Sequence, residues 1–563
     1  MAKRGYFRLI LSALGVFVFS PIAPGQQTKP GPEIKTADQR PQTTILVRSD
    51  PSWQKFFDKL KEIVRRDSSI FVVRGRKVRM NPTWLRDHIH EMKGYKYWEE
   101  DVTSALDEFL SRQAGEGFFY EMLISAKDPH ATFSGPRFAE FDRPDGLAFA
   151  RLQMEADIEY LMVEGVHTAW QATGDDEWMR ARLEALEKGL EYCMTDETRW
   201  SKTHQLVKRT FSIDTWDFTF FHHPDRRTIE PGMTMSIMHG DNSGMCDGCR
   251  RLATMWRQLK NEEKATLWQD RAKGFKERTN KLCWNGKFYT HQVMLEWPTY
   301  LGDVPETQIL SLSNTYDMNR GIAEHPQCVS IIREYMERRK KTDAFAEWFT
   351  IDPPYPRGCV HPAGKYINGG ISIFVAGELA KAAFRHGFED YAVDILRRVK
   401  QMCDRDGTLD FFYTRDGKPQ AGGPAGWGAA AVASAMMEGL AGIEDASKVF
   451  RRVALSPRWV ALGIDDAEAA ATYPVSGATF RYRFRHDGKT KEMTLLWKGA
   501  PDGVTVHLLL PKGTRAKEVS LDGKPVPFET FLVEGSPYAN SIVAGKQDAE
   551  TTLRVIYSQS EPK

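Results

Sequence analysis

Apolar residues recur three and four positions apart through most of the chain from about Trp53 to Ile443. Residues 97–113, 155–175, 177–193, 249–259, 264–282, 328–339, 374–387, 391–402 and 427–440 each read as a helix. Many of these runs end in Gly or a Gly-Asp turn, as helix C-termini do. They come in pairs: Asp175-Asp176 joins one pair and Gly387-Phe-Glu-Asp390 another. With the weaker candidates the pattern predicts eleven or twelve helices. Residues 427–440 are apolar nearly all round and predict a buried helix.

Twelve helices in consecutive hairpins predict a mainly α fold, a toroid of six inner and six outer helices. Loops at one rim would line a central pocket. No fixed-period repeat supports a stacked solenoid instead. After about Glu444 the period changes from helical to alternating. ATFRYRFRHDG, EMTLLWKG, GVTVHLLLPKG, KEVSLDGKPV and TTLRVIYS read as strands between Asp-Gly and Lys-Gly turns. Residues 444–563 therefore read as a small β-sandwich domain and 46–443 as the helical one.

The first residues follow a third pattern. MAKRGYFR is basic, LILSALGVFVF is apolar, and small residues follow. Residues 1–25 read as a secretory signal peptide, with an uncleaved anchor as the alternative, and 26–45 as a polar linker. The expected location is periplasmic or secreted, with no stable membrane association once the signal is removed.

Composition narrows the function. The 563 residues are 41% hydrophobic and 27% charged, with a net charge of +2. That is globular, and no Lys/Arg run marks a nucleic-acid binder. Seven Cys is an odd number. Cys246-Asp-Gly-Cys249 is a lone C-x-x-C without zinc-finger spacing or a βαβ context, so it reads as a local disulfide or two helix-packing thiols. His88/His90 and His222/His223 lack an acidic partner at ligand spacing. No metal and no cofactor are expected.

Two acidic segments carry the candidate chemistry. Asp214 and Asp217 flank Thr215 and Trp216 in FSIDTWDFTF, and Asp410 lies in TLDFFYTRDGKPQAGGPAGW. Aromatic surroundings exclude water and raise a carboxyl pKa, as a general acid requires. A second carboxylate across a sugar ring would activate water. Both segments also read as turns, since Asp favours caps and turns. Arg86 and Asp87 beside Trp84 form either a clamp for adjacent sugar hydroxyls or a helix-start ion pair. Asp241, in His239-Gly-Asp-Asn-Ser-Gly, offers hydrogen bonds from a loop or helix end. Tyr366-Ile-Asn368-Gly-Gly370 puts two glycines where backbone makes a close approach.

Together these segments resemble the six-hairpin, (α/α)6-barrel glycosidases, and among them the glucoamylase-like families. Trp84-Leu-Arg86-Asp87 is similar to their Trp-x-Arg-Asp sugar clamp. Ile213-Asp214-Thr-Trp216-Asp217 is similar to their Tyr-Asp-x-Trp-Glu segment, whose last residue is the general acid. Tyr366 with Gly369-Gly370 resembles their Tyr-x-x-Gly-Gly segment. Asp410 and Trp427, around Gly417-Lys-Pro419, resemble the base-bearing loop. A C-terminal sandwich recurs in related rhamnosidases and glycoside phosphorylases. The chain departs from the pattern where Asp replaces Glu at both catalytic positions and where Asn-Pro-Trp after the double Gly is missing.

The resemblance implies an exo-acting, inverting glycoside hydrolase that removes a terminal sugar from an oligo- or polysaccharide. Asp217 would be the acid and Asp410 the base, with Glu155, Asp157 or Asp241 as fallback bases. Trp84, Arg86, Asp87, Asp214, Trp216, Asp241, Tyr366, Asn368 and Trp427 would hold the sugar. Unsaturated glucuronyl hydrolase or polysaccharide lyase activity on the same scaffold is one alternative; a non-catalytic glycan-binding protein is another.

Overall fold

The computed structural model describes residues 42–133, 137–142, 144–214, 229, 232–295, 303–357, 361–546 and 549–560. The segment read as a signal peptide lies outside them, and so do Trp216 and Asp217.

Among the described residues, twelve α-helices of seven residues or more lie between Ser52 and Ser434. They are α1 (Ser52–Arg66), α2 (Leu85–Tyr95), α3 (Ser104–Leu110), α4 (Ile158–Thr173), α5 (Leu183–Thr195) and α6 (His239–Gln258). The second half continues with α7 (Glu262–Cys283), α8 (Ser313–Arg320), α9 (His325–Lys341), α10 (Ile373–Arg385), α11 (Glu389–Asp406) and α12 (Gly426–Ser434). The even-numbered helices pack each on the next, and α12 packs back on α2. The odd-numbered helices pack against them: α1 on α2 and α12, α3 on α4, α5 on α4 and α6, α7 on α6, and α9 and α11 on α10.

Burial explains this division. In α1, Trp53, Phe56, Phe57, Leu60, Ile63 and Val64 form one buried stripe and the opposite face is charged. Burying each such side chain contributes about 1.5–3 kcal/mol. The whole of α12 is buried, and its sequence GWGAAAVAS is mostly small residues. Small residues let backbones approach: a Cβ on Gly377 of α10 would lie 2.5 Å from the Ala431 backbone. Gly244 of α6 likewise sits under the Tyr160 ring of α4, where a Cβ would come within 2.2 Å.

The expectation of helix alone from Trp53 to Ile443 needs correcting. Short strands interrupt the span, including the hairpin Ser69–Val73 with Arg76–Met80 and the sheet of Met122–Ser125, Leu147–Ala150 and Ala139–Asp142. Three more lead straight into even-numbered helices: Met235–Met238 into α6, Leu310–Ser311 into α8, and Ile371–Ser372 into α10. These connections are buried, and strand pairing satisfies their backbone groups without water. The helix expected over 97–113 is also shorter. The Asp101 carboxylate accepts from the Ser104 N–H and hydroxyl, so helix begins at Ser104. Cys246 and Cys249 lie one turn apart in α6 as buried, unpaired thiols.

Beyond Ile443 the chain forms two sheets. One has seven strands, in the order Thr44–Val47, Asp466–Tyr473, Ala478–Asp487, Glu492–Lys498, Thr551–Gln559, Thr514–Leu521, Lys524–Pro525. The other has five, in the order Ile443–Asp445, Arg452–Leu455, Gly503–Leu509, Ser536–Val543, Glu529–Val533. Alternating residues such as Met493, Leu495, Trp497, Val504, Val506 and Leu508 enter the main hydrophobic core. Thr44–Val47, at the end of the stretch read as linker, is an edge strand of the first sheet. Among the described residues no helix lies after Leu462.

Candidate active site

The N-terminal ends of the even-numbered helices gather most of the candidate residues. A helix N-terminus carries partial positive charge and unpaired N–H groups, so carboxylates settle there. Asp157 is the N-cap residue of α4. Asp241 is in the first turn of α6. Asp214 accepts from the Ser313 N–H that opens α8. Asp67 accepts from the Gly426 N–H that opens α12.

Arg86, in the first turn of α2, is buried and its guanidinium meets Asp157 as a fork. Nε donates to Oδ2 at 2.7 Å and Nη2 to Oδ1 at 3.0 Å. Glu155 also pairs with Arg86. Burial would raise the Asp157 carboxyl, but Arg86 outweighs it and holds the group below the ordinary range. The structure thus turns Arg86 toward Asp157 and Glu155, two of the fallback bases. Asp87, the next residue of α2, is half-buried. Trp84 is the N-cap of α2, with its ring edge-on to His130 at 6.2 Å.

Asp241 is fully buried, and the nearest cation is Arg209, 3.6 Å away. Neither carboxylate oxygen has a hydrogen-bond partner among the described residues. Burial pushes its carboxyl up to about 6; Asp157 and Asp214 add to the shift and Arg209 opposes it.

Asp214 holds a left-handed backbone at φ +44°. Its carboxylate accepts from the Ser313 N–H at 3.1 Å and from the Ser313 hydroxyl. Its own N–H donates to His291 Nε2 at 2.9 Å. That bond requires the His291 proton on Nδ1, which donates to Glu306 Oε2 at 2.7 Å. Tyr355 donates to the other Glu306 oxygen at 2.8 Å. The chain is therefore fixed immediately ahead of Trp216 and Asp217.

Asp410 lies half-buried in the connection between α11 and α12. Burial, and then the Asp406 charge, raise its carboxyl above the ordinary value. Its neighbours are tied down on both sides: Phe411 N–H donates to Gly422 O, and Ala425 N–H donates to Leu409 O. Two residues on, Trp427 lies between His90 and Phe374 and donates from Nε1 to the Tyr316 hydroxyl at 2.8 Å. Asn368 is buried and accepts from Tyr355 N–H while donating to Tyr355 O and His361 O. Tyr366 has φ +50°, its N–H bonds to Gln420, and its ring packs on Phe412. Gly370 is needed there: a Cβ would stand 2.4 Å from Tyr366 O.

Some placements escaped the sequence. His239 Nδ1 meets Asp317, and Nε2 lies 2.9 Å from the Ser311 hydroxyl. The spacing is that of a nucleophilic triad, but all three residues are buried and Ser311 is fully closed to substrate. The arrangement pins the start of α6 to α8. At the other end of the even-numbered helices all six contribute to a cavity of about 290 Å³. Lys93, Lys96, Arg320 and Lys381 line it with Glu164 and Glu378. Cations there complement helix C-termini, and none of the predicted site residues among those described lines it.

No family model matches the chain, and no curated protein does. Its fold is similar to those of solved α-L-rhamnosidases. A GH78 family rhamnosidase of Bacillus sp. GL1 gives a TM-score of 0.57 at 14% identity, covering 84% of this chain and 43% of that one. The α-L-rhamnosidase from Dictyoglumus thermophilum gives 0.57 at 10% identity, covering 92% of this chain and 50% of that one. The chain thus spans half or less of their length. A GH63 mannosylglycerate hydrolase from Thermus thermophilus gives 0.49 at 14% identity, over 68% of this chain and all of that one. The likeness is one of fold.

Proposed function

We propose that the twelve helices close into an (α/α)6 toroid and that the protein is an exported, exo-acting glycoside hydrolase working by inversion at the N-terminal ends of the inner helices. The observation that carries this reading is the gathering of Arg86, Asp157, Asp214, Asp241 and Trp427 at those ends, with the chain fixed just before Asp217. The fold likeness to rhamnosidases supports a terminal deoxyhexose as the first sugar to try.

In this reading Asp217 protonates the leaving oxygen and Asp410 activates water. Burial raises Asp410, so water activation sets in at higher pH than an exposed aspartate would give. Trp427 and Tyr366 wall the sugar. Asp241 is the alternative base, favoured by a carboxylate that no donor among the described residues occupies. The basic and then apolar start of the chain supports export.

The test is turnover of an aryl glycoside panel that includes α-L-rhamnosides, with NMR of the early product. An anomer opposite to the substrate's supports inversion. Retention would replace it with a nucleophilic mechanism, and no turnover on any glycoside would favour a binding protein.

A further inference from the structure

One pair of carboxyls outside the sugar-facing residues has no sequence signal. Asp67 ends α1, and Glu91 lies on α2. Asp67 Oδ2 accepts from Gly426 N–H at 2.7 Å. Glu91 Oε1 accepts from Asn81 Nδ2 at 2.9 Å. A Cβ on Gly426 would stand 2.6 Å from Glu91 Oε1 and 2.8 Å from Asp67 Oδ2, so both carboxyls lie over one backbone atom. The two carboxyls therefore meet over Gly426. Glu91 is wholly buried, and its Oε2 has no hydrogen-bond partner among the described residues. Two carboxylates cannot bond without a proton between them.

Among the described residues the surroundings supply no compensating cation. Asp87 and Tyr95 of α2 face Glu91, Asn81 brings an amide, and α12 brings only a backbone N–H. Arg65 and Arg66, next along α1, turn instead to Glu99 and Glu62.

We propose that Asp67 and Glu91 share a proton that fastens the start of α12, and with it the connection carrying Asp410. The linkage runs through named bonds. Asp67 holds Gly426; the adjacent Ala425 holds Leu409; Leu409 precedes Asp410. The two residues are positioning residues, and the inference rests on reading Asp410 as the base.

The protonation follows the geometry. Burial raises Asp67 to about 6; burial and then the Asp67 charge raise Glu91 well above the carboxylate range. The folded pair holds more protons than the unfolded chain. Its contribution to stability is therefore complete below about pH 4 and falls as pH rises through about 6. The fastening itself lasts until the remaining proton leaves Glu91.

Amide hydrogen exchange of the peptide 409–427, in the full chain between pH 5 and 9 and corrected for intrinsic rate, tests this. The wild type should lose protection as pH rises. Asp67→Asn and Glu91→Gln each place a permanent donor between the partners and should keep it. With a good leaving group, whose departure needs little help from Asp217, both variants should move the alkaline limb of kcat/KM up by a pH unit or more. Protection independent of pH in the wild type, or an alkaline loss unchanged in both variants, overturns the proposal. Asp410→Asn separates the two readings: if that variant stays active, the base assignment falls while the exchange result still decides the shared proton.

Discussion

Trp427 lies flat on His90, with ring centroids 4.2 Å apart and planes 6° from parallel. Burial first, then Lys93, Arg320 and Arg86, hold His90 well below its ordinary pKa. The imidazole is therefore neutral, and the contact is stacking rather than cation–π. Trp427→Ala should destabilise by about 3–5 kcal/mol in denaturant unfolding. Tyr316→Phe should cost about 1–3 kcal/mol, because it leaves the buried Trp427 N–H without an acceptor. Equal, negligible effects from both would show that this stack does not hold α12 to α2.

Asp214 makes a second measurable demand, on backbone as well as side chain. Asn tolerates left-handed φ and can still accept from Ser313, whereas a β-branched residue can do neither. Activity and melting temperature should fall in the order Asp214→Asn, Asp214→Ala, Asp214→Val. Asp214→Ala should cost about 1–3 kcal/mol through the orphaned Ser313 N–H. A Val variant as stable as Asn would contradict the φ assignment.

The proposed mechanism separates by leaving group. Asp217→Asn should lose most activity on poor leaving groups and least on good ones. Asp410→Asn should lose activity on every substrate, because water is no longer activated. The ratio of kcat/KM values across an aryl series reads this directly. A flat series for Asp217→Asn would remove it as the acid.

Asp241 and Asp157 give opposite pH signatures. Asp241 is raised to about 6, so the stability linked to its proton is complete below the unfolded value of 3.8 and is lost as pH rises through about 6. Asp157 is depressed, so its contribution is present above 3.8 and is lost as pH falls below that. Asp241→Asn should thus flatten the decline in melting temperature between pH 5 and 8. Arg86→Met should destabilise at neutral pH and much less in acid. An Asp241→Asn curve parallel to wild type would place that titration elsewhere.

Gly244 offers a packing test. A Cβ there collides with the Tyr160 ring at 2.2–2.5 Å. Gly244→Ala should cost about 1–3 kcal/mol. Pairing it with Tyr160→Leu should recover part of the loss, and strict additivity in that cycle would mean the ring and the glycine do not meet.

The sequence yielded the odd-numbered helices from α3 onward because each buries one face and exposes the other. α11, expected over 391–402 with Ala392, Val393, Ile395, Leu396 and Val399 buried, is the clearest case, whereas α1 was not among the helices expected. It concealed α2 and α8, whose sequences LRDHIHEMKGY and SNTYDMNR hold few apolar residues although nearly all of both are buried. Hydrophobic period cannot find a helix that buries polar side chains against other polar side chains. The first half of α6, HGDNSGMCDG, read as loop or helix end for the same reason. Of the candidate site, the turn and cap residues were legible by type, but Arg86 meeting Asp157 across 71 positions depended on α2 packing against α4, not on any local pattern. Trp216 and Asp217 fall outside the described residues.

Thr44–Val47 pairs with Ala467–Ala470, and the Thr43 hydroxyl donates to the carbonyls of both Tyr97 and Thr472. An early strand is thus completed by a segment synthesised more than 400 residues later. A growing chain that has made every helix still holds this strand unmatched, with its ladder groups exposed to any other chain nearby. Closing that gap is a long-range step that comes after the helices, so the moment of greatest aggregation hazard falls between completion of the helical region and arrival of its C-terminal partner.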